Sequence, residues 1–145
     1  MTMVDVSAKP EILREATAAG TIKLKPGTIA LIRKRKIVKG DPLYTSKIAG
    51  ILAAKKCSDL VPLCHPLPLT KVEVEAKVVD ETTVEVTARV KTRAQTGVEM
   101  EALTAVSVAL LAVWDMTKQY EKDVNGQYPS TAIENIHVVK KIKQV

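Results

Sequence analysis

The sequence has almost no aromatic residues: among 145 residues there is no phenylalanine, one tryptophan and three tyrosines, 3% in all. RNA-recognition sheets and single-strand grooves stack bases on aromatic side chains, so this scarcity disfavours both kinds of nucleic-acid reader. The core must therefore be built from valine, isoleucine, leucine, alanine and methionine.

Cysteines and long hydrophobic runs are also scarce. There are two cysteines and no apolar leader at the N-terminus, so we expect a reducing cytoplasm and no secreted disulfide scaffold. The longest apolar run, residues 102–114, is interrupted by Thr104 and Ser107 and is shorter than the roughly 18 residues that suggest a membrane span. This run predicts a buried helix and no membrane association.

The chain is basic, with 22 lysines and arginines against 16 acidic residues and a net charge of +6. This excess favours an anionic partner but does not distinguish a phosphate ligand from a nucleic acid or a membrane surface. Neither a P-loop nor a Rossmann glycine fingerprint occurs, so a phosphate site must be built from separate lysines and arginines. Length and an apolar content of 46% predict one globular domain, residues 1–145.

Hydrophobic periodicity predicts an α+β chain in the ferredoxin-like order βαββαβ, an antiparallel sheet with helices packed on one face. The expected elements are a strand over residues 12–24, helices from Pro26 and from Pro42 to about Lys56, strands over 72–78 and 84–90, a helix to about Tyr120, and a strand over 133–141. Residues 61–69 contain three prolines and predict a stiff extended loop.

The long helix carries the first candidate functional residues. Thr96 and Glu99 have the spacing of a capping box, so Glu99 is predicted to cap the helix. Glu101, Asp115 and Lys118 fall on one face, away from Glu99. Two simpler interpretations stay open, a solvated carboxylate for Glu101 and an exposed ion pair for Asp115 and Lys118.

Helix geometry limits how these residues can act together. Glu101 and Asp115 are separated by about 21 Å along the helix axis, too far for both to touch one reacting centre. If both are functional, a second copy of the chain must complete the site. We therefore predict an active site between subunits.

Two further segments have the residue types of a binding site. Cys64 and His65 lie between prolines, and the rigid loop would present His65 and backbone amides to a ligand. The alternative is a structural turn with a surface histidine. No metal site is expected, because Cys57, His137 and carboxylates are the only other ligands and lack zinc spacing. Lys39 lies just before a predicted helix N-terminus. Helix N-termini attract phosphate, and the lysine adds a mobile positive charge.

The chain closely resembles the MoaC family, the cyclic pyranopterin monophosphate synthases of molybdenum cofactor biosynthesis, from residue 3 to about residue 123. The motifs that carry the resemblance are MVDVSAK at 3–9, KGD at 39–41, IAGI at 48–51, AAKK at 53–56, DLVPLCHPLPL at 59–69, TGVEMEALTAVSV at 96–108, and Asp115-Met116 with Lys118. The glycine-rich tail of many members has no counterpart in residues 140–145.

The resemblance implies a lyase that converts 3′,8-cyclo-7,8-dihydroguanosine 5′-triphosphate into cyclic pyranopterin monophosphate with loss of pyrophosphate. A radical SAM GTP cyclase would supply the substrate. The family pattern implies a homohexamer, a trimer of dimers with sites at the dimer interface. The sequence requires no cofactor. A Mg²⁺ ion is possible on the triphosphate of the substrate.

The same resemblance assigns roles to residues. The catalytic residues would be Asp115, Lys118 and Lys39, and the substrate-binding residues Leu63, Cys64, His65, Met100, Glu101, Arg14 and Glu99. Our hypothesis is that Lys118, held by Asp115, acts as general acid and base. Lys39 and Arg14 would bind the phosphates, and His65 would orient the substrate or shuttle a proton.

Two other functions stay open at this point. A basic ferredoxin-like module could grip RNA through Lys34, Lys36, Lys55 and Lys56, with binding that weakens steeply as salt rises. A member of the enzyme lineage could also serve only as an assembly scaffold. The joint presence of all the site residues named above disfavours the scaffold.

Overall fold

The computed structural model describes residues 1–145. The elements, in chain order, are β1 Ile12–Lys23, α1 Pro26–Arg33, α2 Pro42–Lys55, α3 Cys57–Leu60, β2 Leu69–Asp80, β3 Thr83–Ala94, α4 Glu99–Glu121 and β4 Ala132–Gln144. Apart from the one-turn α3, this is the predicted βαββαβ arrangement, in which the first crossover holds the pair α1 and α2.

The four strands form one antiparallel sheet in the order β2-β3-β1-β4. β1 and β3 occupy the centre and pair over their full length, from Ile12 opposite Ala94 to Lys23 opposite Thr83. The helices pack on one face of the sheet. The predicted α+β, ferredoxin-like fold is therefore confirmed.

Alternating side chains divide the sheet into an apolar and a polar face. On β3, Val84, Val86, Ala88 and Val90 are fully buried in the core with the helices. On the opposite face, Arg89 binds the carboxylate of Glu15. The strands β2 and β3 extend beyond the predicted segments because backbone pairing continues past the residues that alternate most clearly.

Helix α4 fills the space over the sheet and packs against β1, β3, β4 and α2. By length and composition it could cross a membrane, with a mean hydropathy of 1.4 over 18 residues, but half of that window is buried inside the fold. It is a core helix, as its apolar run predicted.

Small residues let the two long helices approach each other closely. A Cβ atom on Gly50 of α2 would lie 3.1 Å from the carbonyl oxygen of Ala105 in α4 and 3.1 Å from a methyl group of Val74 in β2. A side chain at this position would therefore force the neighbouring atoms to move apart by a few tenths of an ångström. Close packing of small aliphatic residues explains how the chain forms a core with so few aromatic rings.

The start of α4 differs from the predicted capping box. The N-cap residue is Val98, and no side chain caps the helix. Glu99 is therefore the first helical residue rather than the third, and its carboxylate turns back against Gly97 and toward Lys141, at 3.5 Å. Because Glu99 comes two positions too early, it cannot close the reciprocal hydrogen bonds of a capping box.

Candidate active site

The first cluster joins the start of α2 to the last turns of α4. Asp41 caps α2 by accepting hydrogen bonds from the backbone N–H groups of Leu43 and Tyr44. Before it, Gly40 has a φ of +122°, a conformation that favours glycine. This turn leads from Lys39 directly into the helix and holds the lysine beside α4.

Asp115 lies between two lysines in this cluster. The Nζ atom of Lys39 donates to Oδ2 and to the backbone oxygen of Asp115, both at 3.1 Å. The Nζ atom of Lys118 lies 3.1 Å from Oδ1 of the same carboxylate. The sequence-predicted residues Lys39, Asp115 and Lys118 are thus brought together, although 76 positions separate the first two.

The cluster has a surplus of positive charge. Hydrogen bonds from Lys39 and then Lys118 hold the pKa of Asp115 below its usual value of 3.8, so the carboxylate is ionised at neutral pH. Two ammonium groups then face one carboxylate, and the side chains of all three residues are partly exposed. This arrangement orients both ammonium groups and leaves a net charge of +1 for an anionic ligand.

A groove of about 510 Å³ opens beside Asp115 and Lys118. Its other lining residues are Leu111, Trp114, Tyr128 and Ile133. Trp114 and Tyr128 pack edge to face with ring centroids 5.1 Å apart. Two of the four aromatic residues of the chain therefore line the groove beside the charged cluster.

The second cluster lies at the other end of α4 and contains Glu101. This residue is only 3% exposed, so the solvated carboxylate considered above is wrong. The Sγ atom of Cys64 is 3.7 Å from Oε2 of Glu101 and 3.9 Å from Sγ of Cys57, whose sulfur is 3.5 Å from the hydroxyl of Thr104. The other carboxylate oxygen, Oε1, is buried without a hydrogen-bond partner.

Burial dominates the electrostatics of this second cluster. It raises the pKa of Glu101, and it raises the pKa of Cys64 to about 12, with the nearby Glu101 carboxylate as the next cause. The pKa of Cys57 is raised as well, again mainly by burial. Both thiols are therefore protonated at neutral pH, which disfavours a cysteine nucleophile.

Slow alkylation of Cys64 follows from its pKa. In the native protein, iodoacetamide should modify Cys64 about a thousandfold more slowly at pH 8 than in urea, because the raised pKa makes the thiolate fraction smaller by roughly that factor. The rate should still rise tenfold per pH unit at pH 9, where the urea-unfolded control levels off. Mass spectrometry of the modified peptide measures both rates, and a native rate that levels off near pH 8.5 would contradict the raised pKa.

His65 lies on the proline-rich loop that was expected to be neither helix nor central strand, and residues 61–68 have neither structure. The Nε2 atom of His65 is 2.6 Å from the backbone oxygen of Val4, so the loop contacts the N-terminal segment. Leu63 is 44% exposed and Met100 42% exposed. These three residues therefore present side-chain surface that a ligand or a second chain could contact.

Arg14 lies apart from the lysine cluster. Its side chain is buried, and it donates from Nε to the backbone oxygen of Ala94 and from Nη2 to those of Pro10 and Gln95. It makes no hydrogen bond or ion pair with Lys39, Asp115 or Lys118 within the chain. Its contacts join the start of β1 to the end of β3, and its role as a phosphate ligand stays a prediction.

One chain therefore contains two groups of candidate residues that do not meet. Glu101 and Asp115 are about 21 Å apart along α4 at the usual helical rise. The sequence singled out most members of both groups. The sequence did not predict that Cys57 contacts Thr104 and Cys64. The only indication of this contact was the spacing of the two cysteines, seven positions apart around a short turn.

Comparison with known proteins identifies the family of the chain. Residues 3–143 match the model of the MoaC family. The chain belongs to the MoaC family. The match includes every candidate residue of both groups.

Several relatives are similar to the chain over nearly its whole length. A probable cyclic pyranopterin monophosphate synthase of Sulfolobus acidocaldarius is 55% identical over 97% of the chain and 98% of its own length. A probable cyclic pyranopterin monophosphate synthase of Pyrococcus furiosus is 57% identical over 98% of the chain and 90% of its own length. A protein of Methanothermobacter thermautotrophicus is named a probable accessory protein of that synthase. It is 57% identical over 97% of the chain and 88% of its own length. These names give the RNA-binding alternative no support.

Proposed function

We propose that this MoaC family member is a cyclic pyranopterin monophosphate synthase of molybdenum cofactor biosynthesis. Its substrate would be 3′,8-cyclo-7,8-dihydroguanosine 5′-triphosphate, and its products cyclic pyranopterin monophosphate and pyrophosphate. The observation that carries the proposal is the Lys39–Asp115–Lys118 cluster beside an open groove. The names of relatives that are 55 to 57% identical point to the same reaction.

The charge of the cluster suits the chemistry of this reaction. To close a cyclic phosphate, a hydroxyl oxygen attacks the α-phosphorus, its proton leaves, and the bond to pyrophosphate breaks. Ammonium groups of Lys39 and Lys118 would offset the charge on the phosphoryl oxygens. Lys118 would also transfer protons as general acid and base, while Asp115 fixes its orientation. Arg14 would add a phosphate contact, and His65 would orient the substrate.

A second chain would complete this site, in a homohexamer built as a trimer of dimers. Glu101 and His65 of one subunit would meet the lysine cluster of another. Support comes from three exposed apolar side chains that recur every four residues on α2, Tyr44, Ile48 and Leu52, 44 to 63% exposed. Such a stripe on a helix surface favours association with another chain.

The remaining parts of the proposal concern the surroundings of the enzyme. A radical SAM GTP cyclase would supply the cyclised triphosphate, and both enzymes would act in the cytoplasm. The reaction needs no resident cofactor, and Mg²⁺ would accompany the triphosphate. The relative named as an accessory protein is consistent with a place in the same pathway.

Incubation of the purified protein with the cyclised triphosphate tests the proposed reaction. We expect one pyrophosphate and one cyclic pyranopterin monophosphate per substrate consumed, measured by an enzyme-coupled pyrophosphate assay and by mass spectrometry. The uncyclised GTP serves as the control substrate and should give neither product. Absence of both products from the cyclised substrate, together with salt-sensitive RNA binding, would overturn the proposal. Light scattering at micromolar concentration tests the assembly, and a monomer would contradict the inter-subunit site.

A further inference from the structure

The N-terminal strap, residues 4–10, contains most of the motif MVDVSAK, and the proposed reaction gives that motif no role. The strap precedes β1, forms neither helix nor strand, and is exposed except at Val6, which is partly buried. Three of its backbone oxygens nevertheless accept hydrogen bonds from side chains outside it, those of Val4, Ser7 and Pro10. These three attachments give the exposed segment a defined position on the protein surface.

Both ends of the strap contact residues that are candidates for substrate binding. The backbone oxygen of Val4 lies 2.6 Å from Nε2 of His65, on the proline-rich loop. At the other end, Nη2 of Arg14 donates to the backbone oxygen of Pro10 at 3.3 Å. The strap therefore runs between two residues that the proposed function places at the substrate.

The contact with Val4 determines which nitrogen of His65 carries a proton. A backbone carbonyl oxygen can only accept a hydrogen bond, so Nε2 must be the protonated nitrogen. In the neutral ring Nδ1 then keeps its lone pair. His137 has the opposite arrangement, because its Nδ1 lies 2.7 Å from the backbone oxygen of Asn135. The two histidines of the chain are therefore expected to be opposite tautomers.

Asp5 holds the strap in shape beside the His65 ring. Its Oδ1 accepts hydrogen bonds from the hydroxyl of Ser7, at 2.6 Å, and from the backbone N–H of the same residue, at 2.9 Å. These two bonds and, to a smaller degree, the charge of His65 hold the pKa of Asp5 below its usual value of 3.8. The carboxylate is thus ionised at neutral pH and close enough to His65 for the two charges to interact. A turn of this kind fixes the direction of the neighbouring carbonyl of Val4.

We propose that the strap is a positioning element for His65, in which the Val4 carbonyl holds the proton on Nε2 and leaves Nδ1 to accept a proton from the substrate. The inference rests on the proposed function, which places His65 at the substrate. The lone pair of Nδ1 takes the proton, and the ring becomes positively charged beside the carboxylate of Asp5. Return of that proton from Nδ1 to the product restores the neutral ring. Val4 and Asp5 act through His65 and need not touch the substrate.

Nitrogen-15 NMR of the histidine side chains in the full chain tests the contact without any substrate. At about pH 8, above the usual imidazole pKa of about 6.5, His65 should carry its proton on Nε2 and His137 on Nδ1. Nuclear Overhauser effects should join the His65 ring to Val4. His137→Gln removes one set of signals and so assigns the other. A proton on Nδ1 of His65, or a ring without any Overhauser effect to Val4, would overturn the proposal.

Two variants separate the strap from His65. Deletion of residues 2–5 removes the Val4 carbonyl, and Asp5→Ala removes the turn that directs it. We expect each to lower kcat for the cyclised triphosphate by about 10 to 100-fold with little change in KM, because a displaced proton-transfer group slows the chemical step. Thr2→Ala, in the same segment but outside the strap, is the matched control and should retain full turnover. Since none of these residues belongs to the core, all three variants should unfold at the urea concentration of the parent.

A double-mutant cycle tests whether the strap acts through His65. His65→Ala alone should lower kcat by about 10² to 10⁴-fold, and deletion of residues 2–5 from that variant should cause no further loss. A further loss as large as in the parent would mean that the strap acts independently of His65, and it would overturn the proposal. If the parent protein does not convert the cyclised triphosphate, the proposed function fails, whereas the NMR measurement still decides whether the strap positions His65.

Discussion

Lys118→Ala is expected to lower turnover of the cyclised triphosphate by about 10² to 10⁴-fold, the usual contribution of a general acid or base. Lys39→Ala should have a comparable effect, because it removes one of the two cations proposed to offset the charge of the reacting phosphate. Both lysines bind the same carboxylate at 3.1 Å, so either change also frees Asp115 to reorient. Pyrophosphate release under saturating substrate measures the loss.

Stability separates a catalytic effect from a structural one in these variants. The lysine side chains are 42 and 43% exposed, and exposed ion pairs contribute about 0 to 1 kcal/mol. The free energy of unfolding and the oligomeric state should therefore stay close to those of the parent. Lys122→Ala, at an exposed lysine that follows α4, is the matched control and should retain full turnover. Parent-level turnover in Lys118→Ala would remove that residue from the mechanism.

Glu121→Ala is expected to destabilise the fold by at least about 3 kcal/mol. The carboxylate of Glu121 is fully buried and accepts hydrogen bonds from the backbone N–H of Lys25 and from the hydroxyls of Thr28 and Thr131. Removal leaves three donors without an acceptor, at about 1 to 3 kcal/mol each. Urea unfolding followed by circular dichroism measures the change.

Two further variants test the assignment of this effect to Glu121. Glu121→Gln keeps one acceptor oxygen and should lose less stability than Glu121→Ala. Glu134→Ala removes an exposed carboxylate of β4 and should change the free energy of unfolding by no more than about 0.5 kcal/mol. If Glu121→Ala unfolds at the same urea concentration as Glu134→Ala, the buried carboxylate does not tie the end of α4 to α1 and to the start of β4.

The position of Glu121 also shows where the sequence prediction stopped. The apolar pattern of α4 predicts a helix to about Tyr120, and the helix ends one residue later. Nothing in that pattern distinguishes Glu121 from a solvated acidic residue at a helix end, because its three donors come from segments 10 to 96 positions away. A burial pattern reports which face of an element is apolar, and it carries no information about distant hydrogen-bond partners.

The candidate site residues also differ in how much of their position the sequence predicted. The motifs with Lys39, Asp115 and Lys118 predicted one functional unit, and the structure joins these residues by direct contacts. Arg14 was grouped with them by the same resemblance, yet within one chain its guanidinium binds three backbone carbonyls. Its position relative to the lysines is set by strand pairing, which no local pattern of residues encodes.

The sequence by itself determined the chain's fold class, because alternation with period two defined the central strands and helical periodicity the long helix between them. It also determined the family, through motifs that run along most of the chain. Only the tertiary structure decided that Glu101 is buried with Cys57 and Cys64, and that Glu121 closes the end of α4. The physical reason is that polar groups far apart in sequence acquire partners only when packing removes them from water. The sequence shows that the core must be packed with small aliphatic residues in place of aromatic rings. Only the tertiary structure shows how closely the two long helices approach each other at Gly50.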